Sequence, residues 1–162
     1  MRTLFALVLI TFSTNVFSGG PVLPENWRMP TDQERCETKF DFCFGVLASG
    51  DFDGNGLVDG AVIAISSDNE RQGLLVFMYE GTAKEVWHTL DTSSFIGKVS
   101  MGVESVSAGF QKVLCVNEAE CSKGYKKEIQ LENESFSYYR FASSSSLWLF
   151  DNGGFRRIWQ SD

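Results

Sequence analysis

The sequence predicts a mainly β fold: antiparallel meander sheets, sandwich-like or partial propeller-like, with one short N-terminal helix. Three observations predict it. Fourteen Phe, four Trp and four Tyr among 162 residues favour pleated, half-buried surfaces. Short apolar runs alternate with clusters of Gly, Asn and Asp, as strands alternate with turns. The connections between the runs are short, which favours antiparallel pairing of consecutive strands.

Residues 1–18 have the layout of a signal peptide. Arg2 supplies the positive charge, residues 4–12 are an almost unbroken apolar run, and Ser18 precedes the expected cut. The run is too short to span a bilayer. We therefore expect a periplasmic or secreted protein, with residues 19–162 forming a single β-rich domain.

The exported chain opens on an N-terminal segment, residues 19–30, that holds all three prolines and should be extended. Thr31 and Glu34 have the spacing of a capping box, which predicts a short helix over residues 32–39. Eight to ten strands follow. They are expected over 42–47, 61–66, 74–79, 85–90, 99–107, 111–116, 126–131, 135–141, 147–150 and 155–159.

Two of these strands, 61–66 and 74–79, are continuously apolar, which predicts burial on both faces of a sheet. Near the C-terminus, the residues 151–154 (DNGG) predict a tight hairpin turn. Alternation before that turn places Trp148 and Phe150 on one face and Leu147 and Leu149 on the other.

Four cysteines are expected to form disulfides in an oxidising compartment. Their spacing favours two local bridges, Cys36–Cys43 and Cys115–Cys121. The alternative is a long-range bridge between the N-terminal segment and the loop between the last two cysteines. A catalytic cysteine would need His88, the sole histidine, as its base, and His88 lies within an ordinary strand pattern.

The clearest candidate for a binding site in the sequence is residues 49–59, SGDFDGNGLVD, which could bind a metal ion. Its oxygen-bearing side chains are at positions 1, 3, 5 and 9 of a loop, and the backbone carbonyl of position 7 can add another oxygen. The expected ligands are Asp51, Asp53, Asn55, Leu57 (through its carbonyl) and Asp59. Three crowded carboxylates repel one another unless a cation neutralises them, which favours bound Ca²⁺. The alternative is a polar turn without an ion.

The loop is not an EF-hand, because position 12 is Val62 instead of Glu and a β-type run follows. It resembles the calcium loop of FG-GAP and VCBS repeats, found in integrin-type β-propellers and many secreted bacterial proteins. The resemblance covers residues 48–79, with Asn55 where the family usually has Asp. It implies a structural calcium ion between two antiparallel strands. The chain also resembles small exported bacterial proteins that share its NWRMPT, GDFDGNGLVD and RIWQSD segments, a group to which we attach no activity.

Aromatic side chains offer a second, weaker candidate site. An exposed platform for a sugar or a partner would use Trp27, Trp87, Trp148, Trp159, Tyr138 and Tyr139. The alternative is that these side chains belong to the core.

Composition and motifs lead to three hypotheses for function. The first is an exported non-enzymatic β-domain with a structural calcium loop that binds a partner in the cell envelope, such as an inhibitor or immunity protein. The second is a carbohydrate-binding or adhesive module. The third is a cell-wall or glycan hydrolase that pairs Asp91 with Glu104 or Glu118. A net charge of −7 argues against nucleic-acid binding, and no second long apolar segment is present to span a membrane.

Overall fold

The computed structural model describes residues 22–39, 41–79, 85–114 and 127–161, and in them the chain is mainly β, as predicted. The elements are β1 (Trp27–Arg28), α1 (Asp32–Arg35), β2 (Cys36–Glu37), β3 (Phe42–Cys43), β4 (Leu47–Gly50), β5 (Asp59–Ser66), β6 (Arg71–Tyr79), β7 (Glu85–Ser94), β8 (Met101–Val106), β9 (Gly109–Val113), β10 (Lys127–Leu131), β11 (Ser135–Arg140), β12 (Ser145–Asp151) and β13 (Gly154–Ser161). The predicted signal peptide and the cysteines at 115 and 121 lie outside the described residues.

The first sheet is built around β5, β6 and β7, which pair in chain order as an antiparallel meander. The other edge of β5 is shared by two short strands. β4 pairs with its first half and β1 with its last two residues. The strand predicted over 85–90 continues to Ser94, past a register shift of β7 against β6.

The second sheet has the order β13-β12-β11-β8, with every pairing antiparallel. Its last three strands form the predicted meander, and the turn between β12 and β13 is the predicted one. Asn152 and Gly153 both have positive φ there, 51° and 77°, as a tight hairpin turn requires. β8 pairs with β11 across the β9–β10 hairpin, so the order departs from a pure meander at this edge.

The main core lies between the two sheets, which makes the arrangement sandwich-like. Ala61, Ile63 and Ile65 of β5 pack in one cluster with Phe136 and Tyr138 of β11, all of them buried. The segment that leads into β4 joins the sheets at one edge, where the Val103 amide donates to the Gly45 carbonyl at 2.8 Å.

Both long apolar strands of the first sheet are buried on two faces, as their sequence predicts. Val62 and Ala64 of β5 point away from the main core into a second cluster with Leu75 and Phe77. Leu23 and Trp27 from the N-terminal segment pack on this outer face and add a third layer there. In the last hairpin, Trp148 and Phe150 pack on the main core, while Leu147 and Leu149 pack in a third cluster on the other face.

The predicted helix over 32–39 is too long, because α1 ends at Arg35. Its capping box is present, with Thr31 accepting from the Glu34 amide. The helix stops because Cys36 is extended, with φ −104° and ψ 133°, and forms a disulfide with Cys43 directly across a two-strand ladder. This bridge is one of the two predicted local pairs. Among the described residues, no helix has the length and apolar character needed to cross a membrane.

The strand predicted over 42–47 is also wrong, since the chain forms two short strands there, β3 and β4. Residues 44–46 between them lie where the chain leaves the disulfide hairpin and enters the first sheet. The two ladders have different partners, β2 and β5, so one continuous strand cannot serve both.

The ion pair between Arg28 and Glu34 should make the free energy of unfolding depend on pH in the acidic range. Both guanidinium Nη atoms donate to the carboxylate, at 2.6 and 2.9 Å, and lower the Glu34 pKa from 4.5 to about 2. A depressed carboxyl pKa stabilises the fold above the unfolded pKa, and that contribution disappears as pH falls from about 4.5 to about 2. We expect Glu34→Gln to cost about 1 kcal/mol at pH 7 and to flatten this part of the pH–stability curve.

Urea unfolding between pH 2 and pH 7 measures this effect. Glu25→Gln is the matched control, because Glu25 is exposed and has no ion-pair partner in the part of the chain that the structure describes. Parallel curves for Glu34→Gln and the unmodified protein would contradict the assignment.

Candidate metal site

Three aspartates of the 51–59 loop converge. One carboxylate oxygen from each of Asp51, Asp53 and Asp59 lies within 4.8 Å of the others, so the triad could hold a metal ion. The fold explains the convergence. β4 ends at Gly50 and β5 begins at Asp59, and these two residues pair in the ladder. The loop between them must therefore close on itself, which brings both of its ends and its middle together.

Asp59 is the buried member of the triad, with no exposed surface. Its Oδ2 accepts from the Phe52 amide at 2.9 Å and its Oδ1 from the Tyr79 amide at 3.1 Å. Burial raises its pKa despite these two bonds, and the neighbouring charges of Asp53 and Asp51 raise it further. The fold thus holds a carboxylate at an electrostatic cost that a cation would remove.

Asp51 has the one carboxylate oxygen of the triad that is buried and unpaired. Its Oδ2 accepts from the Gly56 amide at 2.8 Å, while its Oδ1 has no hydrogen-bond partner among the residues that the structure describes. Buried carboxylate oxygens are normally paired, so this atom lacks a partner such as a cation would supply.

Asn55 organises the loop through its neighbours. Its backbone amide and its Nδ2 donate to the two oxygens of Asp53, at 3.0 and 2.9 Å, and Nδ2 also donates to the Tyr79 carbonyl at 2.7 Å. Its Oδ1 accepts from the Leu57 amide at 2.7 Å. The roles of Asn55 and of the Leu57 carbonyl as metal ligands stay predictions.

The second sheet also contacts this loop, which the sequence did not predict. Glu134, in the turn between β10 and β11, accepts from the Asp51 amide at 2.8 Å. Gly54 has φ 77°, and a Cβ there would lie 2.7 Å from the Asn133 Oδ1. The turn over 132–134 and the aspartate loop are therefore packed together, and the loop bridges the two sheets.

A polar cavity of about 290 Å³ lies beside this contact. Its lining includes Phe52 from the loop, Glu134 from the turn, and Asp151 and Arg156 from the last hairpin. Asp151 and Arg156 lie 3.7 Å apart, at the long end of an ion pair. Three acidic residues, Glu132, Glu134 and Asp151, therefore line a cavity next to the loop together with Arg156.

The structure does not assemble the predicted aromatic platform on one surface. Trp27 and Trp87 pack on the outer face of the first sheet. Tyr138 is buried, and Tyr139 and Trp148 pack against the main core. Most of these rings therefore serve as packing between layers.

Four of the residues considered for catalysis, Cys36, Cys43, His88 and Asp91, make other contacts. Cys36 and Cys43 are joined in a disulfide, and His88 packs edge-on to Phe155 with ring centroids 5.7 Å apart. Asp91 pairs with Arg140 at 3.0 Å. Glu104 is exposed, and the glutamate at 118 lies outside the described residues.

Comparison with known proteins adds no identity: no protein-family model, no curated protein and no solved structure matches the chain. The resemblance of residues 48–79 to FG-GAP and VCBS loops therefore stays a prediction, and the function has to be argued from the acidic triad itself.

Proposed function

We propose that this is an exported, non-enzymatic β-domain whose 51–59 loop binds Ca²⁺ as a structural ion and which binds a partner in the cell envelope. The observation that carries the calcium proposal is the convergence of Asp51, Asp53 and Asp59. Asp59 is wholly buried, and one oxygen of Asp51 is buried without a hydrogen bond to any part of the chain that the structure describes. A cation would satisfy that oxygen and offset the charge of the other two carboxylates.

The donor set suits calcium. All three side chains offer oxygen, and the loop lies between two strands with left-handed glycines at 54 and 56. Ca²⁺ takes six to eight oxygen ligands in flexible geometry, whereas Mg²⁺ demands a near-ideal octahedron. Backbone carbonyls and water can complete such a shell around a short loop.

The ion has a structural role in this proposal. The loop joins β4 to β5 and also contacts the turn over 132–134 through Glu134. An ion that fixes the loop therefore fixes the junction of the two sheets. A catalytic metal would instead need an open position beside an acid or base positioned on a substrate.

The partner is inferred to be a basic protein of the envelope, because a net charge of −7 favours association with positive surfaces. Complexes of this kind weaken as salt rises. Retention of purified basic envelope enzymes on the immobilised protein at low salt, with release at high salt, would support this half of the proposal. No retention of any such enzyme would overturn it.

A thermal melt in calcium and in EDTA tests the calcium half. Calcium at 100 times its dissociation constant should stabilise the native state by about 2.7 kcal/mol. For a chain of this size, that corresponds to a rise in Tm of about 10 °C. Equal Tm values in calcium and EDTA would overturn the calcium proposal, as would a shift that magnesium reproduces in full.

A further inference from the structure

The cavity of about 290 Å³ beside the aspartate loop is partly open to solvent and has walls from three parts of the chain. The turn over 132–134 forms one wall, the last hairpin forms another, and the aspartate loop contributes a single aromatic ring. Its apolar lining is Phe52, Leu131, Leu149 and Phe150, and its charged lining is Glu132, Glu134, Asp151 and Arg156. Apolar walls with a few charged groups are typical of sites that bind a ligand or a side chain.

The charges that line this cavity do not balance, because three carboxylates are present with one guanidinium. Arg156 lies 3.7 Å from Asp151, and the two side chains are 47% and 48% exposed, so this ion pair is weak. Glu132 and Glu134 form no ion pair with any residue that the structure describes. The cavity therefore has an excess of negative charge that a cation would offset.

The size and lining of the cavity favour one long basic side chain over a whole small molecule. Sites for small molecules usually have volumes of about 300–1,000 Å³, so this cavity is at the lower limit. The apolar stem of an arginine can pack on Leu149 and Phe150 while its guanidinium lies among the carboxylates. A guanidinium has five N–H donors in a planar fork and can bond to two carboxylates at once, whereas a lysine ammonium is a compact point charge.

We propose that this cavity is the docking site for an arginine side chain of the basic envelope protein that the domain binds. This inference rests on the proposed function and names the surface that the partner contacts. Buried arginines are enriched at protein interfaces and often contribute a large part of the binding energy. Glu134 also accepts from the Asp51 amide at 2.8 Å, so the aspartate loop helps to fix one wall of the docking site.

Titration with N-acetylarginine methylamide, followed in ¹H–¹⁵N spectra, tests the cavity without the partner protein. In a low-salt buffer that contains calcium, the backbone amide signals of Glu132, Glu134 and Asp151 should move and reach saturation. N-acetylcitrulline methylamide, which has nearly the same shape without the charge, should leave these signals in place. N-acetyllysine methylamide should bind at least about twofold more weakly than the arginine probe.

The double variant Glu132→Gln, Glu134→Gln should weaken binding of the arginine probe at least about tenfold, because both unpaired carboxylates are lost. Glutamine at 134 keeps an oxygen that can accept from the Asp51 amide, so the contact with the loop is retained. The matched control is Glu25→Gln, Glu104→Gln, which removes the same charge from two exposed residues outside the cavity. It should leave binding within about twofold of the unmodified protein, since distant surface charges are screened.

Arg156→Gln should act in the opposite direction and tighten binding of the arginine probe by about threefold. The reason is that it removes the cation beside Asp151 and frees that carboxylate for the probe. The proposal is overturned if the arginine probe causes no saturable shift, or if the citrulline probe binds as well. It is also overturned if the Glu132, Glu134 double variant binds as tightly as its control, or if Arg156→Gln weakens binding.

Retention of basic envelope enzymes separates this inference from the proposed function. If the arginine probe binds but no such enzyme is retained, the proposed partner is wrong while binding of arginine by the cavity is supported. If an enzyme is retained equally by the unmodified protein and by the Glu132, Glu134 double variant, the partner docks elsewhere and this inference is overturned.

Discussion

Asp59→Ala is expected to abolish stabilisation by calcium and, in EDTA, to lower the free energy of unfolding by about 2–4 kcal/mol. The cost in EDTA comes from two backbone amides. Those of Phe52 and Tyr79 both donate to the Asp59 carboxylate, and alanine would leave both without an acceptor. Relief of the buried charge offsets part of this cost, because burial already raises the pKa of Asp59.

Asp59→Asn separates the contribution of the hydrogen bonds to stability from the contribution of the charge. Asparagine keeps one oxygen as an acceptor and removes the negative charge, so its cost in EDTA should be smaller than that of alanine. In calcium, both variants should lose the ion-dependent rise in stability, since the buried ligand charge is gone from each.

Urea unfolding of each variant in calcium and in EDTA measures both quantities. Asp41→Asn is the matched control, because Asp41 is exposed and outside the loop. Its φ of 49° also suits asparagine. If calcium stabilises Asp59→Asn as strongly as it stabilises the unmodified protein, Asp59 is not a ligand and the triad is not the site.

Most of the fold follows from local pattern, and the exceptions are contacts between distant residues. The apolar runs at 61–66 and 74–78 are buried on both faces, and the alternation in the last hairpin sorts its side chains onto the predicted faces. The pairing of β8 with β11 was not predicted, because it skips the hairpin between them and leaves no local signature. The disulfide, which was predicted, is what ends α1 before residue 39.

The convergence of the three aspartates could be predicted from the sequence, whereas their surroundings could not. The spacing of the aspartates indicates which carboxylates meet. The contact between Asp51 and Glu134 spans 83 residues, and no sequence pattern predicts it. The burial of Asp59 did have a signal, because Asp59 shares the alternation of Ala61, Ile63 and Ile65, which face the main core. A charged residue at a core position of a strand departs from the usual apolar pattern, and such departures are expected at functional sites.

Phe52→Ala is expected to be the most destabilising change in the loop, at about 3–5 kcal/mol. Phe52 lies between two of the aspartates, yet it is 1% exposed and belongs to the main core. Its ring centroid is 5.1 Å from that of Phe136 on the second sheet. It anchors the loop in the core, so its loss should cost burial energy and also loosen the backbone that positions Asp51 and Asp53.

Leu57→Ala is the control for this change, because Leu57 is in the same loop, is 40% exposed and keeps its backbone carbonyl. It should cost less than about 1 kcal/mol and leave calcium binding intact. Phe52→Leu retains most of the buried volume and provides a folded variant if alanine prevents folding.

The free energy of unfolding and the calcium affinity of these variants together show whether ion binding depends on the anchoring of the loop by Phe52. If Phe52 positions the ligands, Phe52→Ala and Phe52→Leu should lower stability and also weaken calcium binding, as measured by calorimetry on the folded protein. Loss of stability with unchanged calcium affinity would contradict this, and would mean that the loop holds its ligands through its own hydrogen bonds. Those bonds include the amides of Gly56 on Asp51 and of Asn55 on Asp53. They are local to the loop and involve no atom of the Phe52 ring, so calcium affinity, and not stability alone, decides which contacts position the aspartates.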